Sequence, residues 1–297
     1  MVTLDPSDNV KVKLVCVYSL PRSGSTALMA ELDRRKSVVC VPESYFPQAL
    51  ELVAKRDLSN PRKMAALFFA TSPSGVVLSF EEAVACMVPG NIQKTLVQIG
   101  LACAEKTNRD PSLVKVVVWK TTRIIGRWKL FASAGGRFII LRRNLINVFE
   151  SQFRVDFGRH NRNPLRFAIF GESYEAVFSR LPNDDLFEVD YESIPKQLPS
   201  LMTWLGTDTV LWEEGRSTLE QTAAIHPWHK GVMDGFQSMD AIKRRNVLFW
   251  QRALLRGGGI VFYLARPFLG FLRDYFDRQI MNQVTMEAER IFMDHTQ

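Results

Sequence analysis

Five short segments rich in β-branched residues alternate with stretches of helical spacing, and this alternation limits what the chain can fold into. The segments cover residues 12–18, 38–41, 114–119, 137–141 and, with a weaker signal, 186–189. Short, nearly continuous apolar runs are typical of strands buried on both faces of a parallel sheet. Because helices are predicted between them, at 26–35, 45–55 and 145–155, the sequence indicates an α/β fold with helices on both faces of the sheet.

The composition is that of a folded domain. The chain has 297 residues, of which 46% are hydrophobic and 23% charged, which is ample for a large core. It has no internal repeat and no long linker, so we predict a single domain over 1–297. Residues 241–297 are predicted to form a helical C-terminal extension packed on it. For the aromatic side chains of this extension we consider packing on the sheet, a homodimer surface, a lid over an apolar ligand and membrane contact.

Charge and cysteine usage restrict the ligand and the compartment only broadly. Lys and Arg outnumber Asp and Glu by 38 to 31, which suits an anionic ligand. The basic runs are short, so no nucleic-acid partner is expected. The four cysteines form no CxxC pair, which argues against a metal site or a disulfide framework. The N-terminus has no signal-peptide core, and the apolar stretch 257–272 is interrupted by Arg266 and Pro267. We therefore expect a cytoplasmic protein without a transmembrane segment.

The loop after the first segment carries the strongest functional signal. It reads Pro-Arg-Ser-Gly-Ser-Thr at residues 21–26 and leads into a predicted helix. Small residues let backbone N–H groups converge on an anion, the helix N-terminus adds partial positive charge, and Arg22 adds a full charge. The alternative is an ordinary strand-to-helix turn with capping serines.

This loop is not a Walker A motif. The pattern GxxxxGK[ST] requires a glycine at 19 and a lysine at 25, where the chain has Ser19 and Ser25. The third segment ends at Trp119 and is followed by Lys120, a cation where a Walker B aspartate would stand. A site that contains Arg and Lys and lacks a carboxylate for magnesium suits a phosphorylated ligand that is bound by protein cations alone.

At three places the chain resembles the superfamily of sulfotransferases that use 3′-phosphoadenosine 5′-phosphosulfate (PAPS). Residues 21–26 resemble the loop that holds the 5′-phosphosulfate, in the arginine form of bacterial, carbohydrate and tyrosylprotein sulfotransferases. Residues 138–144, with Ser151 eight residues after Arg143, are similar to the 3′-phosphate motif. Residues 190–193 and a helix ending at 204–206 resemble a structural segment of the family. The resemblance spans residues 12–206, about two thirds of the chain.

The resemblance implies a parallel sheet of P-loop type, PAPS as co-substrate, 3′,5′-adenosine bisphosphate (PAP) as product, and no metal. The residues implied in donor binding are Arg22, Ser23, Gly24, Ser25, Thr26, Arg143 and Ser151. Sulfuryl transfer requires in-line geometry and electrostatic stabilisation of the departing phosphate. We assign that stabilisation to Arg22 and to Lys120, which is similar to the lysine that follows a strand in the family.

Glu43 is our candidate for the general base. It follows the second segment, and its spacing from Arg22 is that of the catalytic glutamate of the tyrosylprotein sulfotransferases. A carboxylate beside the anionic donor is expected to have a raised pKa, which helps it to accept a proton near neutral pH. The alternative for Glu43 is an acid that stabilises a helix N-terminus. Alternative bases are His160, His226 and His229, since the aryl enzymes use a histidine.

The sequence does not name the acceptor. The Arg-type loop and Glu43 favour a carbohydrate or peptide-like hydroxyl over a small phenol. Two other functions are open. A P-loop kinase using ATP and magnesium would show divalent-metal dependence, and a non-catalytic nucleotide- or nucleic-acid-binding module should not need Glu43.

Overall fold

Five parallel strands form one sheet, in the order β2-β3-β1-β4-β5. The structure is a computed structural model that describes residues 12–53, 57–153, 163–207, 210–211 and 247–296. The strands are β1 Lys13–Ser19, β2 Val38–Cys40, β3 Val116–Thr121, β4 Gly136–Arg142 and β5 Leu186–Asp190. Each strand begins and ends within two residues of its predicted segment. The predicted α/β fold with a helix-flanked parallel sheet is confirmed.

Eleven helices are described around the sheet, in addition to short 3₁₀ turns at Asp57–Ser59, Pro111–Leu113, Asn183–Asp185 and Tyr191–Ser193. They are α1 Ser25–Asp33, α2 Phe46–Ala49, α3 Pro61–Ala70, α4 Phe80–Cys86, α5 Ile92–Lys106, α6 Lys129–Ser133, α7 Leu145–Phe153, α8 Pro164–Phe178, α9 Ile194–Leu205, α10 Phe249–Tyr263 and α11 Arg266–Asp294.

The helix predicted over 45–55 is much shorter than expected. Only α2 is helical, and the chain continues in turns up to residue 53, with 54–56 outside the described residues. The spacing of Tyr45 and Ala49, which suggested a longer helix, reflects the burial of both side chains at this one turn. Beyond the turn, Glu51 accepts a hydrogen bond from the Leu130 backbone at 3.1 Å, which ties the chain to α6.

Side chains of β1 alternate between two apolar cores, one on each face of the sheet. Leu14, Cys16 and Tyr18 point into the larger core, whereas Val15 and Val17 point into the smaller one. The smaller core is covered by α1 and α9, and the larger one by the remaining long helices. All five strands therefore run in one direction with both faces covered, and their carboxyl ends meet at one edge, where α/β proteins bind ligands.

The C-terminal helices α10 and α11 pack on other helices rather than directly on the sheet. Helix α10 lies against α8 so closely that a Cβ added at Gly258 would be 2.8 Å from the Cβ of Ala168. Helix α11 lies against both α3 and α8. Packing is thus observed for the inner face of this extension. The outer face exposes large apolar side chains, and a homodimer, a lid and membrane contact stay predictions for it. None of the described helices is long and apolar enough to cross a membrane.

A buried ion pair ties the end of α1 to the chain before β3. Both guanidinium nitrogens of Arg109 donate to the Asp33 carboxylate, at 2.8 and 2.7 Å, and the two side chains are at most 2% exposed. The same carboxylate accepts from the Cys40 backbone N–H in β2 at 2.8 Å. Asp33 therefore connects α1, β2 and the segment that leads into β3.

We expect Asp33→Ala to lower the free energy of unfolding by about 3–5 kcal/mol, because the Arg109 guanidinium would stay buried without this carboxylate. Urea denaturation measures the change, and adding Arg109→Met should recover most of the loss. As a control, Glu287→Ala breaks the exposed pair with Arg290 and should cost less than about 1 kcal/mol. A similarly small loss for Asp33→Ala would contradict the prediction.

Candidate functional site

The loop between β1 and α1 has the backbone geometry of an anion cradle. Arg22 and Gly24 both adopt left-handed conformations, with φ of 70° and 90°. Helix α1 then starts at Ser25 without a side-chain cap, so the first N–H groups of the helix lack intrahelical partners. Within the described part of the chain, the buried Ser23 hydroxyl also has no hydrogen-bond partner. The loop thus combines the N-terminus of a helix with a buried hydroxyl that has no partner among the described residues.

Tyr191 packs against this loop and explains why position 24 is a glycine. A Cβ added at Gly24 would lie 2.0 Å from Cε2 of Tyr191, which is closer than any side chain tolerates. The Tyr191 ring also lies under the Arg143 guanidinium, 4.0 Å from its carbon. Sequence reasoning assigned residues 190–193 a structural role only. The one signal that would have pointed to Tyr191 is its position directly after β5, at the ligand edge of the sheet.

The two predicted phosphate-binding motifs meet at Arg22. Its Nε donates to Ser151 Oγ in α7 at 3.4 Å, and its carbonyl accepts from Arg143 Nη1 at 3.2 Å. Gln152, the residue after Ser151, donates to the Pro21 carbonyl at 3.3 Å. Burial and the positive charge of Arg143 lower the pKa of Arg22. The positive charge of Arg143 therefore bears on that of Arg22, and an anion bound nearby would relieve this repulsion.

Lys120 connects the phosphate loop to the candidate base. It is the penultimate residue of β3 rather than the residue after the strand, because β3 continues through Thr121. Its ammonium group donates to Thr26 Oγ1 at 2.9 Å and forms an ion pair with Glu43 Oε2 at 2.9 Å. The other carboxylate oxygen of Glu43 accepts from Thr122 Oγ1 at 2.6 Å. Thr122 is a further site residue that the sequence analysis did not identify.

The expectation of a raised pKa for Glu43 is not met. Burial raises this pKa, but the charge of Lys120, hydrogen bonds from Thr122 and Lys120, and the charge of Arg123 together hold it below its usual range. The expectation had considered only the donor's negative charge, whereas Lys120 already lies against the carboxylate. Glu43 is therefore ionised at neutral pH and is held by an ion pair. It lies before α2 with its carboxylate on Lys120 and Thr122, which does not favour the alternative role at a helix N-terminus.

The remaining candidates are placed as follows. His160, His226 and His229 lie outside the described residues. Arg142, next to Arg143, is engaged by Glu175 at 2.9 Å and by Glu188, on the side of β4 that faces β5 and α8. Arg142 is thus paired with carboxylates of β5 and α8.

Solved structures that are similar to this chain include three sulfotransferases. The sulfotransferase domain of a Synechococcus olefin synthase is 17% identical, with 83% of this chain and 95% of that chain covered and a TM-score of 0.45. The sulfotransferase domain of the curacin biosynthetic pathway is 17% identical, with 71% and 77% covered and a TM-score of 0.40. A sulfotransferase from Alicyclobacillus acidocaldarius is 11% identical, with 81% and 98% covered and a TM-score of 0.37.

No protein-family model and no curated protein sequence matches the chain. At TM-scores below 0.5, the structural likenesses carry no argument about activity. The functional conclusion has to rest on the residues of this chain.

We expect Gly24→Ala to destabilise the protein more than Gly90→Ala. Both glycines have a left-handed backbone, which costs alanine about 1–2 kcal/mol. Nothing lies within 4 Å of a Cβ added at Gly90, whereas the one at Gly24 collides with Tyr191. Thermal and urea denaturation of both variants separate the collision from the backbone strain. Equal losses would show that Tyr191 does not constrain the loop.

We also expect Glu43 to make stability depend on pH. Because its pKa is lower in the folded than in the unfolded chain, the unfolded state takes up the proton first on acidification. The stabilisation is fully present above the ordinary pKa of 4.5 and is lost as the pH falls through the folded value. The free energy of unfolding should therefore fall more steeply between pH 6 and 3 in the wild type than in Glu43→Gln. Parallel slopes would contradict the Lys120–Glu43 ion pair.

Proposed function

We propose that the protein is a sulfotransferase that moves a sulfuryl group from PAPS to an acceptor hydroxyl. The observation that carries the proposal is the convergence of Arg22, Arg143 and Lys120 around a loop whose Ser23 hydroxyl has no partner among the described residues. The cations lie at the carboxyl ends of three neighbouring parallel strands, where a phosphorylated ligand is expected.

The arrangement suits a donor with two separate phosphate groups. Residues 21–26, with their helix N-terminus, would hold the 5′-phosphosulfate, and Arg143 with Ser151 would hold the 3′-phosphate. Arg22 touches both sets, since it contacts Ser151 and Arg143 while it belongs to the loop. A ligand with phosphates at both ends of a ribose would use both sets at once.

Lys120 favours this donor over ATP with magnesium. In a Walker A motif, the Ser or Thr at the position of Thr26 binds Mg²⁺ through its hydroxyl. Here that hydroxyl accepts from the ammonium group of Lys120 at 2.9 Å, so a protein cation stands where the metal would bind. A kinase-like reaction is therefore the second candidate, and no contact within the described ranges favours it.

The chemistry assigned to the chain is electrostatic stabilisation and one proton transfer. PAPS, when bound, supplies the sulfuryl group. Arg22 and Lys120 stabilise the negative charge on the departing phosphate oxygen. Glu43 would take the proton of the acceptor hydroxyl while the acceptor oxygen bonds to sulfur and the bond between sulfur and the departing phosphate oxygen breaks. Because Lys120 is placed to share its charge between Glu43 and an anionic ligand, donor binding weakens its hold on the carboxylate. Glu43 then regains the basicity that a general base requires.

We also propose a class of acceptor and a state of assembly. We propose a carbohydrate or peptide-like hydroxyl as acceptor, in keeping with the Arg-type loop and a glutamate base. A homodimer is proposed on the basis of the exposed aromatic residues of α10 and α11, which are Phe249, Trp250, Tyr263, Phe268, Phe271, Tyr275 and Phe276.

The first experiment is calorimetric titration with PAP in the absence of metal, against ATP with magnesium. We expect PAP to bind, and Arg143→Ala to weaken its affinity about 10- to 100-fold, the value of one lost charge-assisted hydrogen-bonded contact. Arg142→Ala is the matched control. It removes the neighbouring guanidinium, which is paired with Glu175 and Glu188, and should leave PAP affinity within about twofold.

Binding of ATP only with magnesium, and none of PAP, would replace the sulfotransferase with the kinase. PAP binding alone would fit both a sulfotransferase and a non-catalytic binding module. The Glu43→Gln variant distinguishes the two. In a sulfotransferase this variant should still bind PAP but transfer sulfuryl groups to an acceptor panel about 10²- to 10⁴-fold more slowly. Wild-type protein that binds PAP and transfers nothing to any acceptor of the panel would favour the binding module.

A further inference from the structure

The loop that carries Thr122 is held from behind by two helices remote in sequence. Thr122 donates its hydroxyl hydrogen to Glu43, and its own carbonyl accepts from the Tyr174 hydroxyl of α8 at 2.6 Å. Tyr174 is 1% exposed, and burial raises its pKa, so the hydroxyl keeps its proton and can donate. Thr122 is thus fixed at both ends, by the candidate base on one side and by Tyr174 on the other.

The same loop contains a residue in an unfavourable conformation. Ile124 is fully buried and has a φ of 52°, in the left-handed region that β-branched residues avoid. Such a conformation costs about 1–3 kcal/mol and persists only where its surroundings enforce it. The Ile124 carbonyl accepts from the Arg127 N–H at 3.2 Å, and Thr121 and Arg123 hydrogen-bond each other within the loop. Restraints from outside the loop include the hydrogen bond to the Thr122 carbonyl on one side of Ile124 and a contact at Gly126 on the other.

The contact at Gly126 comes from α11. Its N–H donates to Asp277 Oδ2 at 2.9 Å, and a Cβ added at Gly126 would lie 2.9 Å from the same oxygen. Asp277 forms an ion pair with Arg273 at 2.9 Å, and both side chains are at most 4% exposed. The Arg273 guanidinium carbon lies 4.6 Å from the centre of the Tyr174 ring. Arg273 therefore joins the Tyr174 and Gly126 contacts into one buried group.

We propose that Tyr174 is a positioning residue for Glu43 and that Tyr174 acts through Thr122. Arg273 and Asp277 of α11 hold the same loop in register. The loop would otherwise relax from its strained form, and the Thr122 hydroxyl would leave the carboxylate. The role in catalysis rests on the proposed function. The positioning itself does not rest on the proposed function, because it concerns contacts among residues of the chain itself.

The position of Thr122 has a measurable consequence for Glu43. The groups that face this carboxylate are Lys120 and Thr122 on β3 and its loop, Arg123 beside them, and Arg22 and Tyr45 from the neighbouring loops. Loss of the Thr122 hydrogen bond removes one of the interactions that favour the ionised form. The pKa of Glu43 should then rise toward its ordinary value.

The experiment is a carbon-13 NMR titration of the side-chain carboxyl groups in protein labelled at glutamate, with Glu43 assigned by Glu43→Gln. Tyr174→Phe removes a single hydroxyl, and we expect an upward shift of the Glu43 pKa. Thr122→Val should shift it in the same direction, whereas Thr122→Ser should restore it. Since Tyr174 acts through Thr122, adding Tyr174→Phe to Thr122→Val should cause no further shift.

Tyr18→Phe is the matched control. Tyr18 is also a fully buried tyrosine, but its hydroxyl accepts from Gln48 at 3.0 Å instead of holding the loop. Both variants should lose a similar stability, and only Tyr174→Phe should move the Glu43 pKa. An unchanged pKa in Tyr174→Phe, or shifts of Tyr174→Phe and Thr122→Val that simply add, would overturn the proposal.

A second variant tests the α11 contact. Asp277→Asn keeps the size of the side chain and removes the charge that holds Arg273. At a temperature where the variant is folded, it should also raise the Glu43 pKa.

Calorimetry with PAP separates the positioning proposal from the proposed function. A protein that fails to bind PAP but shows the NMR shifts would retain the positioning and lose the sulfotransferase. Normal PAP binding with no NMR shifts would retain the sulfotransferase and overturn the positioning.

Discussion

The ammonium group of Lys120 is the interaction on which the site depends. It joins Thr26, at the start of α1, to Glu43, after β2, from its own position near the end of β3. A buried ion pair is stable only when its partners are held in good geometry and their remaining polar atoms are satisfied. Thr26 and Thr122 supply those hydrogen bonds, one on each side. The carboxyl edge of the sheet is therefore an electrostatically connected unit before any ligand binds.

Beside the Lys120 group lies a second group, around Arg22, which includes a buried donor that has no partner among the described residues. Arg22 is strained in its backbone, lies close to Arg143, and adjoins the Ser23 hydroxyl for which the described residues offer no partner. Backbone strain and buried unmatched donors are costs that persist where function requires them. For the proposed function, the Lys120 half would be preorganised for chemistry and the Arg22 half for binding an anion.

The C-terminal helices belong to the structure of this site although they lie far from it in sequence. Helix α11 reaches the loop after β3 through Asp277, and α8 reaches it through Tyr174. Met281 and Val284 of α11 are part of the same apolar core as Tyr18 and Trp119 of the sheet. The C-terminal extension therefore contacts the same loop that carries Thr122, the hydrogen-bond partner of Glu43.

Local patterns were sufficient to predict the sheet. The five apolar segments became the five strands within two residues, because a strand covered on both faces needs an uninterrupted apolar run whatever surrounds it. The loop at 21–26 was also visible as a local pattern, whereas the motif with Arg143 and Ser151 was found through the resemblance to the PAPS-dependent sulfotransferases. Lys120 and Glu43 were also within reach, because the ends of parallel strands meet at one edge.

The tertiary structure decided what spacing along the chain does not encode. That Thr122 and Tyr191 belong to the site follows from packing across the sheet, and sequence gives no signal for a hydroxyl that approaches a carboxylate 79 residues away. The pKa of Glu43 is lowered rather than raised because Lys120 lies against it in the folded chain. The early end of α2 likewise depends on where the chain must turn to meet α6. The sequence by itself determined the strands and the positions of the cations, whereas the contacts between elements determined the ionisation of Glu43 and the position of Thr122, because these depend on distances through space.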